Sequence, residues 1–328
     1  MQCVILAAGK GTRLRPVTLK RSKAMAPIAG KPIIHRAMDT FIANGIQEFV
    51  VVVSPDDEGL QTYLDSKNNV DGLTIAVVHQ HERLGMAHAL KLAAPHIHGD
   101  FVMSACDNLL PQPFIHQLLT THRSLGALAT LSLMEVPDEA IPKTGMVDWV
   151  EQDGIIRIRR IVEKPAIEDS PSNMGSIPIY VFAHSLLTYL PKVQPSKRGE
   201  YELQDAIQML IDDATEPGFS GGFVTGVLGA SRDDLTNVDD LLDLNRRYLA
   251  EATNEPYLRP KAIGENTKLI MPVRIDEGVA IGTDCEIGPY VYIEADCTIG
   301  DGVVIQDAIV LCDSIVTEKG NIKHEVLM

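Results

Sequence analysis

A glycine-containing segment near the amino terminus carries residue types that bind phosphate groups in proteins. It reads Leu-Ala-Ala-Gly-Lys-Gly-Thr-Arg-Leu-Arg-Pro-Val-Thr over positions 6–18 and follows a short apolar stretch. Glycines let backbone amides approach a polyphosphate, and an arginine such as Arg13 can bridge its oxygens. Leu14 stands where a dinucleotide fingerprint needs its third glycine, and no Gly-Lys pair precedes the Ser or Thr of a Walker A motif. The segment therefore predicts an anion site of another type.

The distribution of charge supports a local anion site. The chain has 328 residues with 29 Lys and Arg and 44 Asp and Glu, and its formal net charge is −15. Residues 1–38 nevertheless contain eight basic and no acidic side chains, which leaves 21 basic and 44 acidic ones for the rest. An acidic chain is repelled by nucleic acid and by anionic membranes, and we expect neither as a partner.

Cysteine usage and the amino-terminal sequence favour a cytoplasmic location. The five cysteines are odd in number and widely spaced, without a Cys-x-x-Cys pair, which argues against a disulfide framework or a zinc site. The first residues lack the basic region of a signal peptide, and no run of 18 apolar residues predicts a transmembrane helix. Apolar residues make up 45% of the chain and charged residues 22%, as in ordinary globular proteins.

The apolar pattern over the first 130 residues alternates between strands and helices, and a more strand-rich region follows. This order predicts an α/β fold with a Rossmann-like, mixed but mainly parallel sheet flanked by helices. In such sheets, ligands bind outside the carboxyl ends of the strands. We expect strands at Cys3–Ala8, Phe49–Val53, Leu73–Val78, Phe101–Ser104, Leu128–Val136, Gly145–Val150, Ile155–Glu163 and Ile177–Phe182, and helices at Ile33–Asn44, Gly85–Ala94, Pro113–His122, Asp205–Asp212 and Asp239–Ala250.

A six-residue repeat occupies residues 263–316. Nine consecutive hexads begin with Ile or Leu, from Ile263 to Leu311, and small or β-branched residues fill their fifth positions, including Ile309 and Ile315 in the last two. One inward aliphatic residue per short strand is typical of a parallel β-helix, and three hexads per turn would give about three coils. We therefore predict a first domain at 1–255, a linker at 256–262, a β-helix at 263–316 and a polar tail at 317–328.

The glycine segment resembles the signature of the sugar-1-phosphate nucleotidyltransferases, LxxGxGTRLxPxT, which is followed in that family by a Pro-Lys pair and a Gly-Lys-Pro turn. Here Ser22-Lys23 stands at the pair and Gly30-Lys31-Pro32 at the turn. The resemblance extends over roughly residues 2–250 and implies that Arg13 and Lys23 are catalytic. It further implies that the nucleotide is bound by the loop residues Leu6, Ala8, Gly9, Gly11 and Thr12.

Further family motifs indicate where the nucleobase and a metal ion bind. Gln80 lies five residues before Gly85, the spacing with which pyrimidine-using members read the base. An amide offers one donor and one acceptor, which suits the imide edge of a pyrimidine. The resemblance also implies that Asp107, at the end of a buried strand, binds Mg²⁺. Asp234 matches the second metal ligand, with Asn237 as a rival because the alignment is gapped.

The sugar-phosphate half of the family site matches three later stretches. By this resemblance, Gly145 lets the sugar approach the backbone, Glu163 accepts hydrogen bonds from its hydroxyls, and Lys164 neutralises its phosphate. Asn173 belongs to the same half. Pro178 stands where the family commonly has glycine, which leaves the identity of the sugar open.

The resemblance implies transfer of a nucleotidyl group from dTTP or UTP to a sugar-1-phosphate, first of all glucose-1-phosphate, to give an NDP-sugar and pyrophosphate. Guanylyl transfer and N-acetylglucosamine-1-phosphate as acceptor stay open. So do two other interpretations, a non-catalytic regulatory subunit of the same fold and a bifunctional nucleotidyltransferase/acyltransferase.

The hexad repeat resembles the left-handed β-helices of hexapeptide-repeat proteins, which serve as acyltransferases or as assembly modules. Residues 263–316 contain no His to act as the general base of acyl transfer, and the hexads show no inserted loop for an acyl donor. A short stack with exposed faces favours packing against another subunit. We therefore expect a homo-oligomer that forms through the β-helix, without acyl transfer.

Overall fold

The computed structural model describes residues 1–216, 221–229, 233–251, 257–317 and 320–328. Within these ranges the chain forms six α-helices, which are α1 Ile33–Ile42, α2 Glu58–Lys67, α3 Met86–Ala93, α4 Gln112–Leu125, α5 Leu203–Thr215 and α6 Val238–Glu251. Short 3-10 helices lie at Thr12–Leu14, Val17–Leu19, Lys23–Met25, Ala94–His96, Asp138–Lys143, Ile167–Asp169, His184–Thr188 and Leu190–Lys192. No helix in the described ranges is long and apolar enough to cross a membrane.

The strands divide at the linker region. Those before it are β1 Gln2–Leu6, β2 Pro27–Ile28, β3 Lys31–Pro32, β4 Glu48–Val53, β5 Thr74–His79, β6 Phe101–Ala105, β7 Asn108–Leu109, β8 Ala129–Glu135, β9 Gly145–Gln152, β10 Ile155–Glu163, β11 Met174–Phe182, β12 Val224–Leu228 and β13 Asp233–Asp234. Those after it are β14 Ala262–Ile263, β15 Lys268–Leu269, β16 Val273–Ile275, β17 Ala280–Ile281, β18 Glu286–Ile287, β19 Val291–Ile293, β20 Thr298–Ile299, β21 Val304–Val310, β22 Ile315–Val316 and β23 Asn321–Leu327.

The chain forms two compact units whose boundaries differ from the predicted domain boundaries. The first, which we call the sheet unit, comprises Met1–Gly9 and Ala37–Arg232. The second, which we call the parallel-strand unit, comprises Lys10–Arg36 and Asp233–Met328. Most of the glycine segment, including Arg13, and the nearby Lys23 therefore belong to the same unit as the carboxy-terminal strands, and not to the unit of the large sheet.

A nine-stranded sheet forms the centre of the sheet unit, in the order β5-β4-β1-β6-β11-β8-β12-β10-β9. Neighbouring strands from β5 to β6 are parallel, as are β8 and β12, whereas β11 and β10 run antiparallel to their neighbours. The mixed sheet is confirmed. Seven of its nine strands run in one direction, and β11 and β10 run against them, so the parallel arrangement is interrupted beyond β6. One reason is the turn Asp153-Gly154, where both residues have positive φ, as the two-residue turn of a β-hairpin requires.

The carboxyl edge of the parallel half of the sheet carries predicted site residues of the sheet unit. Strands β1, β4 and β6 are almost continuously apolar and buried, as parallel strands covered on both faces must be. The β1–β6 register pairs Leu6 with Ala105, and Cys106 N donates to Leu6 O at 3.2 Å. Gly9 and Asp107 therefore follow strands that end side by side at one edge of the sheet.

The parallel-strand unit is built from short parallel strands, as the hexads predict. Ile281 pairs with Ile299 and Ile287 with Ile305, a spacing of 18 residues that corresponds to three hexads. The aliphatic first positions pack into a buried cluster that includes these four side chains.

The last hexads depart from the predicted register by one residue. Val291 pairs with Ala308 and Ile299 with Val316, so the spacing falls from 18 to 17 residues. The physical reason is a shortened turn, because the left-handed backbone that recurs every sixth position arrives one residue early, at Asp307. Ile315, at the fifth position of the last hexad, is accordingly 72% exposed, whereas the neighbouring Val316 is buried.

The observed stack of parallel strands extends beyond both ends of the predicted repeat, residues 263–316. Leu258, in the predicted linker, bridges to Ile275, while position 256 lies outside the described residues. Beyond residue 317 we predicted only a polar tail, but β23 pairs in parallel with β21. Its buried Val326 shows why this segment joins the stack despite its polar neighbours.

Candidate active site

The glycine loop and Lys23 lie together in the parallel-strand unit. Gly11 has left-handed φ (+58°) and precedes the 3-10 helix Thr12–Leu14, which starts with a hydrogen bond from Leu14 N to Gly11 O (3.0 Å). A Cβ at Gly11 would lie 2.7 Å from the Cβ of Lys23, so only glycine fits both the backbone and the contact. Thr12 and Arg13 are exposed and Lys23 is half-buried. The structure therefore brings together Gly11 and Lys23, as predicted.

The two rival metal ligands also lie in the parallel-strand unit, but their contacts differ. Asn237 Oδ1 accepts from Asp240 N (3.0 Å), while Asp240 Oδ2 accepts from Thr236 N (2.7 Å) and Asn237 N (2.9 Å). This reciprocal pattern caps the amino terminus of α6 and occupies the Asn237 side chain. Asp234 is half-buried, and its metal role stays a prediction.

The remaining residues of the predicted loop, Leu6, Ala8 and Gly9, lie at and just after the end of β1 in the sheet unit. Leu6 is half-buried, Ala8 is buried and Gly9 is exposed. The backbone of Ala8 is held by Arg83, whose Nε donates to Ala8 O at 2.8 Å while its Nη2 donates to Ser54 Oγ at 2.9 Å. The sequence analysis gave Arg83 no function, because a contact across 75 positions leaves no local signal.

Asp107 follows β6 at the carboxyl edge of the sheet. Its Oδ1 accepts from Asn108 Nδ2 at 3.3 Å. In the described part of the chain, no three His, Cys, Asp or Glu side chains cluster as they do in an all-protein metal cage. Mg²⁺ is commonly held by one or two carboxylates together with water and substrate phosphates, so two aspartates suit that ion. Asp107 and Asp234 belong to different units, and their joint function stays a prediction.

Gln80 and Gly85 lie together in the sheet unit, as predicted. Gln80 is buried, and its Nε2 donates to Gly85 O (3.3 Å) and to His88 Nδ1 (3.1 Å). Because a carbonyl oxygen only accepts, the atom that faces Gly85 O must be the amide nitrogen, and Oε1 is left to accept from a ligand. The predicted donor-plus-acceptor use of Gln80 is therefore not the arrangement here. His88 is a contact that the sequence analysis missed.

The close approach at Gly85 fixes the position of this segment. Gly85 has a φ of +101°, and a Cβ there would lie 2.6 Å from Tyr201 O. Ala87 N donates to the same carbonyl oxygen at 3.1 Å. Glycine is therefore required at the position where the chain enters α3.

Gly145 and Glu163 are register partners on β9 and β10. A Cβ at Gly145 would lie 2.9 Å from Ser176 Oγ and 3.1 Å from both Gln204 Nε2 and Glu163 Oε2, so the glycine opens a small space lined by polar atoms. Within the described residues, Glu163 Oε2 and Gln204 Oε1 are buried and accept no hydrogen bond. Buried acceptors without donors are costly, and the hydroxyl groups of a ligand would satisfy them.

Two cations flank the Glu163 carboxylate. Lys164 Nζ lies 3.1 Å and Arg198 Nη2 lies 3.5 Å from Glu163 Oε1. Burial raises the pKa of Glu163 above its ordinary value, and the Lys164 ammonium opposes that shift. The structure thus brings together Gly145, Glu163 and Lys164 as predicted, and it adds Arg198 as a second cation for an anionic ligand.

Asn173 is not joined to this cluster. Its side chain is exposed, and its carbonyl oxygen accepts from Val136 N at 2.9 Å. In the described ranges, no hydrogen bond links the Asn173 side chain to Gly145 or Glu163. The predicted sugar contact therefore has no geometric support here.

Comparison with known proteins places the chain in a family. The nucleotidyl transferase family model matches residues 2–251, and the model of the GMPPB C-terminal domain matches residues 269–327. The chain belongs to the nucleotidyl transferase family. The prediction of a nucleotidyltransferase is therefore confirmed at this level.

Several curated relatives support the same class. The chain is 36% identical over 214 residues to the UTP–glucose-1-phosphate uridylyltransferase AglF of Haloferax volcanii, covering 64% of this chain and 84% of that protein. It is 28% identical to a glucose-1-phosphate thymidylyltransferase of Streptomyces griseus, covering 86% and 74%. It is also 30% identical to the bifunctional protein GlmU of Methanococcus maripaludis, covering 86% of this chain but only 62% of that one. A UDP-glucose pyrophosphorylase complexed with UDP-glucose shares the fold, with a TM-score of 0.65 at 22% identity over 76% of this chain and 98% of that one.

Proposed function

We propose that the protein transfers a nucleotidyl group from dTTP or UTP to glucose-1-phosphate and releases pyrophosphate. The observation that carries this proposal is the glycine loop, in which Gly11 packs against Lys23 so closely that a side chain at residue 11 has no room. Such a loop offers backbone amides and a fixed cation to a triphosphate. The acceptors and cations around Gly145 support a sugar phosphate as the second substrate.

The chemistry needs little proton transfer. A phosphate oxygen of the sugar-1-phosphate is already anionic and attacks the α-phosphorus in line. The new P–O bond forms as the bond between the α-phosphorus and its bridging oxygen to the β-phosphate breaks, and pyrophosphate leaves with that electron pair. Positioning and charge neutralisation are then the main tasks of the protein, for which we propose Arg13 and Lys23 on the triphosphate and Lys164 on the sugar phosphate.

A magnesium ion is the cofactor we propose. Asp107 and Asp234 would hold it, because carboxylate oxygens are ligands that Mg²⁺ prefers. When bound, the ion supplies positive charge to the phosphate oxygens.

The base preference rests on Gln80. With both hydrogens of Nε2 donated to Gly85 O and His88 Nδ1, Oε1 accepts from a ring N–H of the base. Uracil and thymine have this donor at N3, whereas adenine at N1 and cytosine at N3 have acceptors. Guanine also donates from N1, so guanylyl transfer is the second candidate. The names of the uridylyl- and thymidylyltransferase relatives favour the pyrimidines, and turnover with a panel of nucleoside triphosphates and sugar-1-phosphates tests the choice.

Replacement of Glu163 by Gln should raise the KM for the sugar-1-phosphate about tenfold or more and leave the KM for the nucleotide nearly unchanged. A hydrogen bond to a charged group contributes about 1.5–3 kcal/mol, which is lost when the carboxylate becomes an amide. The raised pKa of Glu163 adds a pH dependence. Sugar-phosphate binding by the wild type should weaken as pH falls through that pKa, because protonation removes the anionic acceptor.

Steady-state kinetics from pH 5 to pH 8 measure this effect. Protonation of the sugar phosphate itself affects the wild type and Glu163→Gln equally. The difference between their KM values at each pH therefore reports the contribution of Glu163. Glu168→Gln, at an exposed position in the following 3-10 helix, is the matched control and should behave as wild type. Equal KM values for Glu163→Gln and the control would overturn the sugar-binding assignment.

For the carboxy-terminal strands we propose a left-handed β-helix that assembles the protein into a homo-oligomer. The 18-residue spacing of parallel partners supports three hexads per coil. Large apolar side chains that are exposed on this unit supply a surface for a second copy, namely Ile263, Ile270, Met271 and Ile315.

Replacement of Ile315 by Glu should lower the particle mass measured by light scattering, because a charge would be buried in the proposed contact. Ile167→Glu, at a 50% exposed position of the sheet unit, is the control. A wild type that is already monomeric at micromolar concentration, or an unchanged mass for Ile315→Glu, would contradict the proposal.

A further inference from the structure

Arg21 ties the segment that carries Lys23 to the carboxy-terminal strands. Its Nη1 donates to Glu294 Oε1 at 2.7 Å and its Nη2 to Glu294 Oε2 at 2.8 Å. The two side chains are 17% and 13% exposed, so solvent screens this pair only weakly. A two-point contact between a guanidinium and a carboxylate fixes orientation as well as distance. The pair therefore restricts where the backbone of Arg21 can lie.

The Glu294 carboxylate is itself held in place. Oε2 also accepts from the backbone nitrogen of Cys312 at 3.0 Å, and Glu294 follows directly after β19. Burial alone would lower the pKa of Arg21, and the Glu294 carboxylate outweighs this effect and raises the pKa. The carboxylate is thus a fixed point on the stack of parallel strands.

Other contacts hold the later part of the same segment. Ala29 N donates to Asn245 Oδ1 at 3.1 Å, and the Arg36 guanidinium lies 4.0 Å from the centre of the Tyr248 ring. A Cβ at Gly30 would lie 2.0 Å from Arg274 Nε. The Arg21–Glu294 pair is the contact among these that lies nearest in sequence to Lys23.

A short and regular stretch of backbone joins Arg21 to Lys23. Ser22 precedes the 3-10 helix Lys23–Met25, and Met25 N donates to Ser22 O at 3.0 Å. Lys23 in turn packs against the glycine loop at Gly11. A displacement of Arg21 would therefore displace the start of the helical turn that carries Lys23.

We infer that Glu294 is a positioning residue for nucleotide binding, which acts through Arg21 to hold Lys23 against the glycine loop. This inference rests on the proposed function, because Lys23 must contact the triphosphate for its position to matter. It gives the carboxy-terminal strands an indirect part in substrate binding, through Arg21 and Lys23, that is separate from subunit assembly.

Kinetics of Glu294→Gln in the full-length protein test the inference. We expect the KM and the calorimetric Kd for the preferred triphosphate to rise roughly fivefold to tenfold, while the KM for the sugar phosphate changes less than about twofold. Arg21→Lys keeps the charge and loses the two-point geometry, and it should shift the same parameters. The nucleotide Kd of the double variant should be no higher than that of the more impaired single variant, since both substitutions remove the same interaction.

Asp307→Asn is the matched control. Asp307 is an ion-paired carboxylate of the same unit, and its partners are Arg246 and His324, neither of which belongs to the glycine segment or to the segment that carries Lys23. Loss of its charge should change the thermal midpoint without changing the nucleotide Kd. Were Glu294→Gln to lower only the thermal midpoint, as the control does, its function would be structural and the inference would be wrong.

Nucleotide binding and pyrophosphate release by the wild type distinguish a failure of this inference from a failure of the proposed function. If the wild type binds no nucleoside triphosphate and releases no pyrophosphate, the proposed function fails. If the wild type turns over and both Glu294→Gln and Arg21→Lys keep its nucleotide Kd, the positioning inference alone fails. If Glu294→Gln does not fold, Arg21→Lys decides the question.

Discussion

Replacement of Asp107 by Asn should lower kcat at least about 100-fold in saturating Mg²⁺, while the protein folds normally. The change is isosteric and keeps Oδ1, which accepts from Asn108 Nδ2, so the local backbone should stay in place. The lost charge weakens the proposed metal ligand, and a 100-fold effect corresponds to about 2.7 kcal/mol of transition-state stabilisation. Initial rates of pyrophosphate release over a range of Mg²⁺ concentrations measure it.

Asp138→Asn provides the control for this variant. Asp138 is exposed, and its replacement should leave kcat and the Mg²⁺ dependence unchanged. An Asp107→Asn protein that kept more than about a tenth of the wild-type rate would lose under about 1.4 kcal/mol, too little for a residue that holds the metal.

Replacement of Lys23 by Met should lower kcat/KM for the nucleotide at least about 100-fold. Methionine is unbranched and can keep the packing of the lysine stem against Gly11, so the variant removes mainly the ammonium group. A fixed cation on the transferring phosphates stabilises charge that develops in the transition state, and the loss of one such group commonly costs about 10²–10³ in rate.

Lys20→Met removes an exposed charge from the same basic segment and should change kcat/KM less than about threefold. Near-equal rates for the two variants would mean that the segment acts only through its total charge. Lys23 would then have no specific contact with the triphosphate.

Elements with strong apolar patterns could be predicted from the sequence. Strand β10 lies at the predicted residues Ile155–Glu163, and α6 extends the predicted helix by one residue at each end. Helix α2 was missed because its buried apolar face consists of Leu60 and Leu64 alone. Strand β23 was missed because polar side chains separate its few buried ones, so tertiary pairing overrides its local pattern.

The register slip in the last hexads shows a limit of periodicity. The amino-acid sequence keeps its six-residue pattern through the last hexads, with Ile309 and Ile315 at fifth positions. The chain nevertheless turns one residue early at Asp307, whose left-handed backbone an aspartate tolerates better than most residues. Backbone conformation, and not side-chain hydrophobicity, decides which residue faces inward there.

The candidate site was predictable where its residues lie within short motifs. Gln80 with Gly85 and Glu163 with Lys164 are such cases. Arg198 and Glu294 were missed as site residues because the partners that matter, Glu163 and Arg21, are distant in sequence. Glu294 contacts a residue 273 positions away, and no local pattern encodes such a contact.

The measurement that tests the central claim most directly is pyrophosphate release by the purified full-length protein. Each of dTTP, UTP, GTP and ATP is paired with glucose-1-phosphate, mannose-1-phosphate and N-acetylglucosamine-1-phosphate in the presence of Mg²⁺. We predict the highest kcat/KM for dTTP or UTP with glucose-1-phosphate, and little turnover with ATP because its N1 offers no proton to Gln80 Oε1. The highest kcat/KM with a purine nucleotide would contradict the pyrimidine assignment. The absence of pyrophosphate release with every pair, from a protein that still binds a triphosphate, would contradict catalysis itself and favour a regulatory subunit.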